Sequence, residues 1–598
     1  MTVPEKIERL RRRMRAHNVD VYYIPTNDFH GSEYLCDYFK CREYISGFNG
    51  SAGTLIVTAD EAGLWTDGRY FLQAEAQLEG SGITLYRSGE DGVPSIRKFL
   101  YQHLRERQTL GMDGRVVPAA WLEVMKKALT KKGVYVKWDI DLVGEIWDER
   151  PDISREPVSL LGEKYSGQSR EEKIKKFRAE MKRRKADYFV LTSLEEIGWL
   201  LNLRGSDIHC NPVAMAFVII SQERVLLFAH TEGFSEAIKD TFENAGIVLQ
   251  EYEEIYRYLK AISDDSRVYL DKNVVNAAIV QALPPLVKTV SSPSPIVLWK
   301  AVKNPVEVEN IKKAHIKDGL AVTRLICWIK TNIGKIEMSE CSVAEKLEEF
   351  RMEQENYIGP SFDTIAGYAE HGAIVHYTAN AETDKKLQPE NFLLLDVGGH
   401  YLEGTTDVTR TLMLGDADDE QKRHYTAVLR GNLELSAAKF LYGCTGVTVD
   451  ILARRPLWEM GYSYTHGTGH GVGYLLNVHE GPNFIHYKPK KANESAVFEE
   501  GMVTSDEPGL YFAGQYGIRL ENLILCVKRE KTEYGQFMGF DVLTYVPFDR
   551  DAIAAGQMSR EEIGILNHYH RLVYETLSPY LEDDEREWLK EACAPISA

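Results

Sequence analysis

The sequence predicts a mixed α/β chain in three parts: two small α/β modules in tandem, then a larger third domain. An internal repeat, two linker-like stretches and the length predict it. Residues 6–24 read KIERLRRRMRAHNVDVYYI and residues 173–191 read KIKKFRAEMKRRKADYFVL. Lys6 matches Lys173, Ile7 matches Ile174, Met14 matches Met181 and Asp20 matches Asp187, all at an offset of 167. Each copy is a basic amphipathic helix followed by a β-branched or aromatic run, a helix-then-strand opening. Each soon reaches a Gly-bearing segment, YISGFNGSAGT at 44–54 and WLLNLRGSD at 199–207.

Residues 149–170 are rich in Pro, Ser, Gly and charge, and residues 283–305 in Pro and Ser. Both read as linkers. A helical pattern opens after Pro305. The predicted division is 1–158, 165–305 and 306–598, the last with an extension from about 546. At ~150 residues per domain the 598 residues suggest four domains; the repeat makes it three.

Composition narrows the class. Hydrophobic residues are 44% and charged residues 27%, which excludes wholesale disorder. The longest apolar run, Val213 to Ile220, is far short of the ~20 residues of a membrane helix. MTVPEKIERLRRRMRAHN offers no apolar signal segment. The net charge of −18 argues against nucleic acid, so the basic run Arg9–Arg15 reads as a solvated helix face. A soluble cytoplasmic protein is expected, with no membrane partner. Eight scattered cysteines, with only Cys36 and Cys41 close, read as reduced thiols rather than a zinc knuckle. The sequons at Asn49 and Asn493 then read as chance matches.

Familiar site motifs are absent: no GxxxxGK[ST] and no HExxH occurs, and HGTGHGVG (466–473) fails the GxGxxG spacing. What remains is carboxylates in apolar strand-like runs. Asp396 lies in NFLLLDVGG and Asp407 in TTDVTRTLML. A hairpin centred near Tyr401–Leu402 sets them directly opposite each other. Glu507 in MVTSDEPGLYF and Glu521 in YGIRLENLILCV flank a loop around Ala513–Gly514–Gln515 in the same way. Cross-strand partners have Cβ atoms ~4.5–5.5 Å apart, and like charges there repel. Two such pairs cost several kcal/mol unless cations compensate them. Divalent metal is the natural remedy. Oxygen-rich sites with an imidazole suit Mn²⁺, with Zn²⁺ and Co²⁺ as alternatives. THGTGHGVG supplies His466 and His470, NVHEGP supplies His479, and HGAIVHY supplies His376. Glycines around His470 let backbone approach a crowded centre.

LLLDVGG, GTTDVTRT, HGTGHGVG, VHEGP, TSDEPGLY and GIRLEN together resemble the motifs of the pita-bread-fold metallopeptidases. That family includes methionine aminopeptidases, prolidases and Xaa-Pro aminopeptidases. SGFNGSAGT, LWTDGRYFLQA, WLLNLRGSDIHCNPV and WKAVKNPVEVENIKKAHIKDG extend the resemblance over most of the chain. They point to the long three-domain cytosolic Xaa-Pro aminopeptidase form. The implied fold is two creatinase-N-terminal-like domains and a pita-bread catalytic domain. The implied ligands of a dinuclear centre are Asp396, Asp407, His470, Glu507 and Glu521, with Asp407 and Glu521 bridging. Two ions sharing a water lower its pKa and present hydroxide to the scissile Xaa-Pro carbonyl. Glu507 is the implied proton shuttle. His376, His466 and His479 resemble active-site histidines, His479 as donor to the intermediate. Arg519 resembles an arginine near that site; i and i+2 on a strand share a face with Glu521.

The substrates implied are peptides with proline second. Prolidase, a dipeptidase, is the nearest alternative, but its relatives carry one N-terminal domain. Methionine aminopeptidase does not need residues 1–305. A non-catalytic module, as in the fold's relatives that lost their ligands, conflicts with the intact set. The helical tail implies a homodimer by resemblance; the residues themselves equally allow packing on its own domain.

Overall fold

The structure is a computed structural model; it describes residues 1–488 and 496–597, so the sequon Asn493 lies outside the described residues. The chain forms two compact units. The first holds Met1–Gly162 and Gln168–Ile296, the second Glu163–Gly167 and Val297–Ala598.

The first unit contains the repeat. Its helices begin at Val3 and Arg170 and its first strands at Val21 and Tyr188, each pair 167 residues apart. Both helices open with a capping box, Thr2 with Glu5 and Ser169 with Glu172. In a capping box, side chain and backbone reciprocally satisfy donors that the first helical turn leaves unpaired. Each copy builds a six-stranded sheet. One runs Thr84–Arg87, Ala62–Thr66, Thr54–Thr58, Val21–Pro25, Thr109–Gly111, Tyr135–Lys137. The other runs Ile247–Glu251, Val225–Ala229, Ala216–Ser221, Tyr188–Leu191, Arg267–Leu270, Lys288–Ser291. Parallel and antiparallel pairings follow the same sequence in both. The basic run is spent within this unit: Arg9 pairs with Asp148 (2.7 Å), Arg13 with Glu145, and Arg11 donates to the Thr58 carbonyl (2.9 Å). Asn49 accepts from Gln73 and Gln77.

The second unit opens on the helix Pro305–Asn332, capped by Asn304 with Glu307. It carries a three-stranded antiparallel sheet with Phe392–Val397 between Ile365–Tyr368 and Val408–Met413. It also carries a six-stranded sheet, Lys439–Leu441, Gly535–Val542, Asn522–Thr532, Val503–Asp506, Gly469–Gly471, Glu480–Ile485. Helices Asp419–Ser436 and Gly446–Glu459 pack together. The tail packs on this same unit. Helix Arg560–Leu577 buries Leu566, Tyr569, Val573 and Leu577, and the Tyr569 hydroxyl accepts from Arg410 (2.8 Å). All eight cysteines are free thiols. Among the described residues no helix is long and apolar enough to cross a membrane.

Candidate metal centre

Two hairpins and one short strand converge in the second unit. In the first hairpin one register runs through Phe392–Val397 with Val408–Met413 and Gly399–Tyr401 with Gly404–Thr405, so the turn is Leu402–Glu403. That is one residue later than the sequence pattern predicts. Asp396 therefore faces Thr409, not Asp407. Asp407 lies just before its strand, on the diagonal. The turn explains the shift. Gly404 takes φ +143°, and Glu403 is held by Lys317 Nζ (3.0 Å) and Asn356 Nδ2 (2.8 Å). The second hairpin matches its spacing. Val503–Asp506 with Asn522–Thr532 and Gly509–Phe512 with Tyr516–Arg519 share one register centred on Gly514. Glu507 and Glu521 stand at the same level, in the break between the two ladders. Only Asp396 of the four carboxylates lies within a strand; the others stand at strand ends, where the sequence pattern predicts continuous strands. The reason is that backbone pairing is diverted there: Glu507 N donates to Thr468 O (2.8 Å) and Glu521 N to Thr409 O (3.0 Å).

His470 sits in Gly469–Gly471, between Glu480–Ile485 and Val503–Asp506. Its glycine neighbours have no room for a side chain: a Cβ on Gly469 would stand 1.8 Å from Ser505 O, and one on Gly471 2.2 Å from Glu480 O. The ring donates from Nδ1 to Gly471 O (2.9 Å). Nε2 then faces Glu507 Oε1 (3.4 Å) and Asp407 Oδ2 (3.5 Å). Ligand atoms of Asp407, His470 and Glu521 all lie within 4.8 Å of one another.

The electrostatics are those of a cluster short of positive charge. Burial pushes Asp396 up, against Arg519, and Asp407 adds to the rise. Burial raises Glu507 despite His470, and raises Glu521 well above its ordinary value with help from Asp407, Glu507 and Asp396. Burial works to lower His470, but Asp407 and Glu507 bring it up to about 9. Asp396 Oδ1 and Glu521 Oε1 are buried and accept no hydrogen bond. Unsatisfied carboxylate oxygens cost several kcal/mol unless a cation or proton meets them. The donor set of carboxylate oxygens with one imidazole nitrogen fits divalent ions.

The remaining predicted residues surround this cluster. Arg519 is buried and donates to Asp396 Oδ2 (2.6 Å), Tyr511 Oη (2.9 Å) and Val375 O (3.2 Å). Tyr511 in turn contacts His466 Nε2 (2.8 Å), whose Nδ1 faces Gly467 O (2.7 Å). Proton order follows: Nδ1–H donates to the carbonyl, so Nε2 accepts from the tyrosine hydroxyl. The His479 ring meets the His470 ring edge-on, centroids 4.3 Å apart. His376 is half-buried, next to the Val375 carbonyl that Arg519 holds.

Other residues escaped the sequence reading. Thr409 Oγ1 donates to Glu521 Oε2 (2.7 Å), and Ser505 Oγ donates to Glu507 Oε1 (2.9 Å). Each stands two residues from a candidate ligand, Asp407 or Glu507, which is the signal that points to them. Glu340 had no such signal. Its buried carboxylate accepts from Tyr368 N (2.8 Å), Tyr377 Oη (2.8 Å) and Lys385 N (3.1 Å), and meets His371 Nδ1 (2.8 Å). It so ties both ends of the segment that carries His376.

A carboxylate-and-imidazole centre between two hairpins, in a chain that also carries two creatinase-like sheets, defines the class: a pita-bread metallopeptidase. Residues 309–528 match metallopeptidase family M24, and 536–596 match the C-terminal region of peptidase M24. Residues 6–140 and 149–307 each match a creatinase/prolidase N-terminal domain. The chain is 37% identical over 616 residues to Xaa-Pro aminopeptidase 1 of Dictyostelium discoideum, covering 100% of this chain and 97% of the relative. The crystal structure of X-prolyl aminopeptidase from Caenorhabditis elegans, described as a cytosolic enzyme with a di-nuclear active site, matches with TM-score 0.95 and 33% identity over 100% of both chains. The Xaa-Pro dipeptidase from Bacillus anthracis shares the fold at TM-score 0.51 and 24% identity, over 99% of its own chain but 64% of this one. The chain belongs to the Xaa-Pro aminopeptidase family of M24 metallopeptidases.

Proposed function

We propose that the chain is a metal-dependent aminopeptidase that removes the N-terminal residue from peptides with proline second. The observation that carries this is the convergence of Asp396, Asp407, His470, Glu507 and Glu521 on one buried site with two unpartnered carboxylate oxygens. In this reading Asp396, Asp407, His470, Glu507 and Glu521 would hold two divalent ions, with Asp407 and Glu521 in the bridging roles that the resemblance implies. Mn²⁺ is the metal proposed. Bound there, the ions supply Lewis acidity to the scissile carbonyl and lower the pKa of the attacking water.

The chain's own groups do the rest. Glu507, oriented by Ser505, moves the proton of the attacking water towards the leaving nitrogen. That nitrogen belongs to proline, a tertiary amide without N–H, so the site must accept a ring there. His479 donates to the oxygen that gains charge in the transition state. Arg519 acts through Asp396, which it grips, and so positions a ligand. Tyr511 fixes the His466 ring, and Glu340 the segment of His376; both histidines line the substrate side.

The proposed domains are 1–158, 165–305 and 306–598. The proposed setting is the cytosol, as for the C. elegans relative. The proposed assembly is a homodimer. The tail helix spends its apolar face on its own unit, and the surface proposed for the dimer is another one. Val447, Ile451 and Trp458 stay 39%, 42% and 41% exposed along helix Gly446–Glu459, beside Phe484 at 39%.

The test is a substrate panel on chelator-stripped protein restored with Mn²⁺. Release of Arg from Arg-Pro-Pro, with Gly-Pro and Met-Ala-Ser poor, is expected. Cleavage of Gly-Pro alone indicates a prolidase. No hydrolysis with any divalent ion indicates a binding module.

A further inference from the structure

The segment WKAVKNP, which leads into the Pro305–Asn332 helix, holds two lysines that the reaction above does not use. Both are buried against one carboxylate. Lys300 Nζ donates to Glu480 Oε2 and Lys303 Nζ to Glu480 Oε1, each at 2.6 Å. The side chains are 8%, 1% and 2% exposed for Lys300, Lys303 and Glu480. Lys303 Nζ also donates to Val472 O at 2.6 Å. A triad of two cations and one anion is a costly thing to bury. Burial alone would raise Glu480, yet Lys300 and Lys303 hold it below the ordinary carboxylate range.

Its place explains the expense. The chain leaves the strand of His470 at Gly471 and returns at Glu480, and these two residues pair across the ladder. Between them lies the loop that ends in His479. Lys303 grips both limbs of that loop, Val472 going out and Glu480 coming back. His479 immediately precedes Glu480 in the chain, and its ring meets the His470 ring with centroids 4.3 Å apart. An imidazole carried by a short loop keeps its direction only if both limbs are fixed. A misplacement of about 1 Å costs on the order of 100-fold in rate.

We infer that Lys300, Lys303 and Glu480 form a buried clamp whose role is to position His479 over the metal centre. The three are positioning residues, and the inference rests on the part given to His479 above.

The test compares E480Q, K303M and H479A, with the doubles E480Q/H479A and K303M/H479A, on Arg-Pro-Pro with Mn²⁺. K303M leaves a charge-balanced Lys300–Glu480 pair, so it serves if E480Q fails to fold. Expected for E480Q and K303M is a kcat loss of about 10- to 100-fold with KM within about threefold. Metal content stays at two ions per chain. In the metal-free protein, amide exchange of Gly473–Val478 speeds up while that of Asn522–Thr532 does not. In the H479A background neither change lowers kcat further. Losses that multiply in the doubles overturn the clamp, as does wild-type kcat or unchanged exchange in K303M. Wild-type kcat in H479A alone overturns the role of His479 instead, and the exchange result then still reports on the clamp.

Discussion

Replacing Arg519 with Met removes a buried cation that touches the candidate centre. Arg519 is 1% exposed and makes its 2.6 Å bond to Asp396, whose other oxygen has no partner. In the metal-free protein, R519M strands that carboxylate without compensation. Breaking one side of a buried pair costs about 3–5 kcal/mol. For a unit of this size each kcal/mol moves Tm by roughly 2 °C, so a fall of about 6–10 °C is expected. With Mn²⁺ bound, the ions compensate Asp396, and most of that fall disappears. Thermodynamic linkage then requires R519M to bind Mn²⁺ at least as tightly as the wild type, since the metal rescues the variant more. Turnover falls about 100-fold all the same, because Asp396 loses its alignment. The assay is scanning calorimetry with and without Mn²⁺, with a titration for affinity. A metal-free Tm within 2 °C of wild type, or Mn²⁺ binding weakened about tenfold or more, refutes the reasoning.

D407A and E521A each abolish peptide hydrolysis and lower the metal content below two ions per chain; near-normal turnover in either contradicts the bridging roles. The pH dependence of metal binding follows from the raised carboxylates Asp396, Glu507 and Glu521. A carboxylate raised on folding stabilises the fold below its ordinary value, about 4, and that stability is lost as pH rises through the folded value. Metal binding needs the ionised form, so the Tm gain on adding Mn²⁺ is larger at about pH 8 than at about pH 5.5; an equal or reversed gain contradicts this. I451E, which places a charge on the exposed apolar face of Gly446–Glu459, yields a monomer with a native circular dichroism spectrum; sedimentation as an unchanged dimer moves the interface elsewhere.

The tandem modules were legible because a repeated sequence repeats its capping and its sheet order. Thr2 and Ser169 stand at the same offset as Val21 and Tyr188. The Glu507–Glu521 hairpin was legible because its loop is short and symmetric about Gly514. In the Asp396–Asp407 hairpin the turn falls one residue later than the sequence pattern predicts. Gly404 is the one local hint in HYLEG; Lys317 and Asn356, far away in sequence, hold Glu403 and choose the turn. The candidate ligands were legible because a carboxylate in an apolar run is conspicuous. Their supports were less so. Thr409, Ser505 and Tyr511 lie inside the motifs but carry no charge to draw notice. Glu340, Lys300 and Lys303 are charged but lie in ordinary polar surroundings, and only the fold buries them.

The most direct measurement is anomalous scattering at the manganese edge from crystals grown with Mn²⁺. The account predicts two peaks per chain, both touching Asp407 and Glu521, one also touching Asp396 and the other His470 and Glu507. A single peak, or peaks away from these five residues, contradicts it.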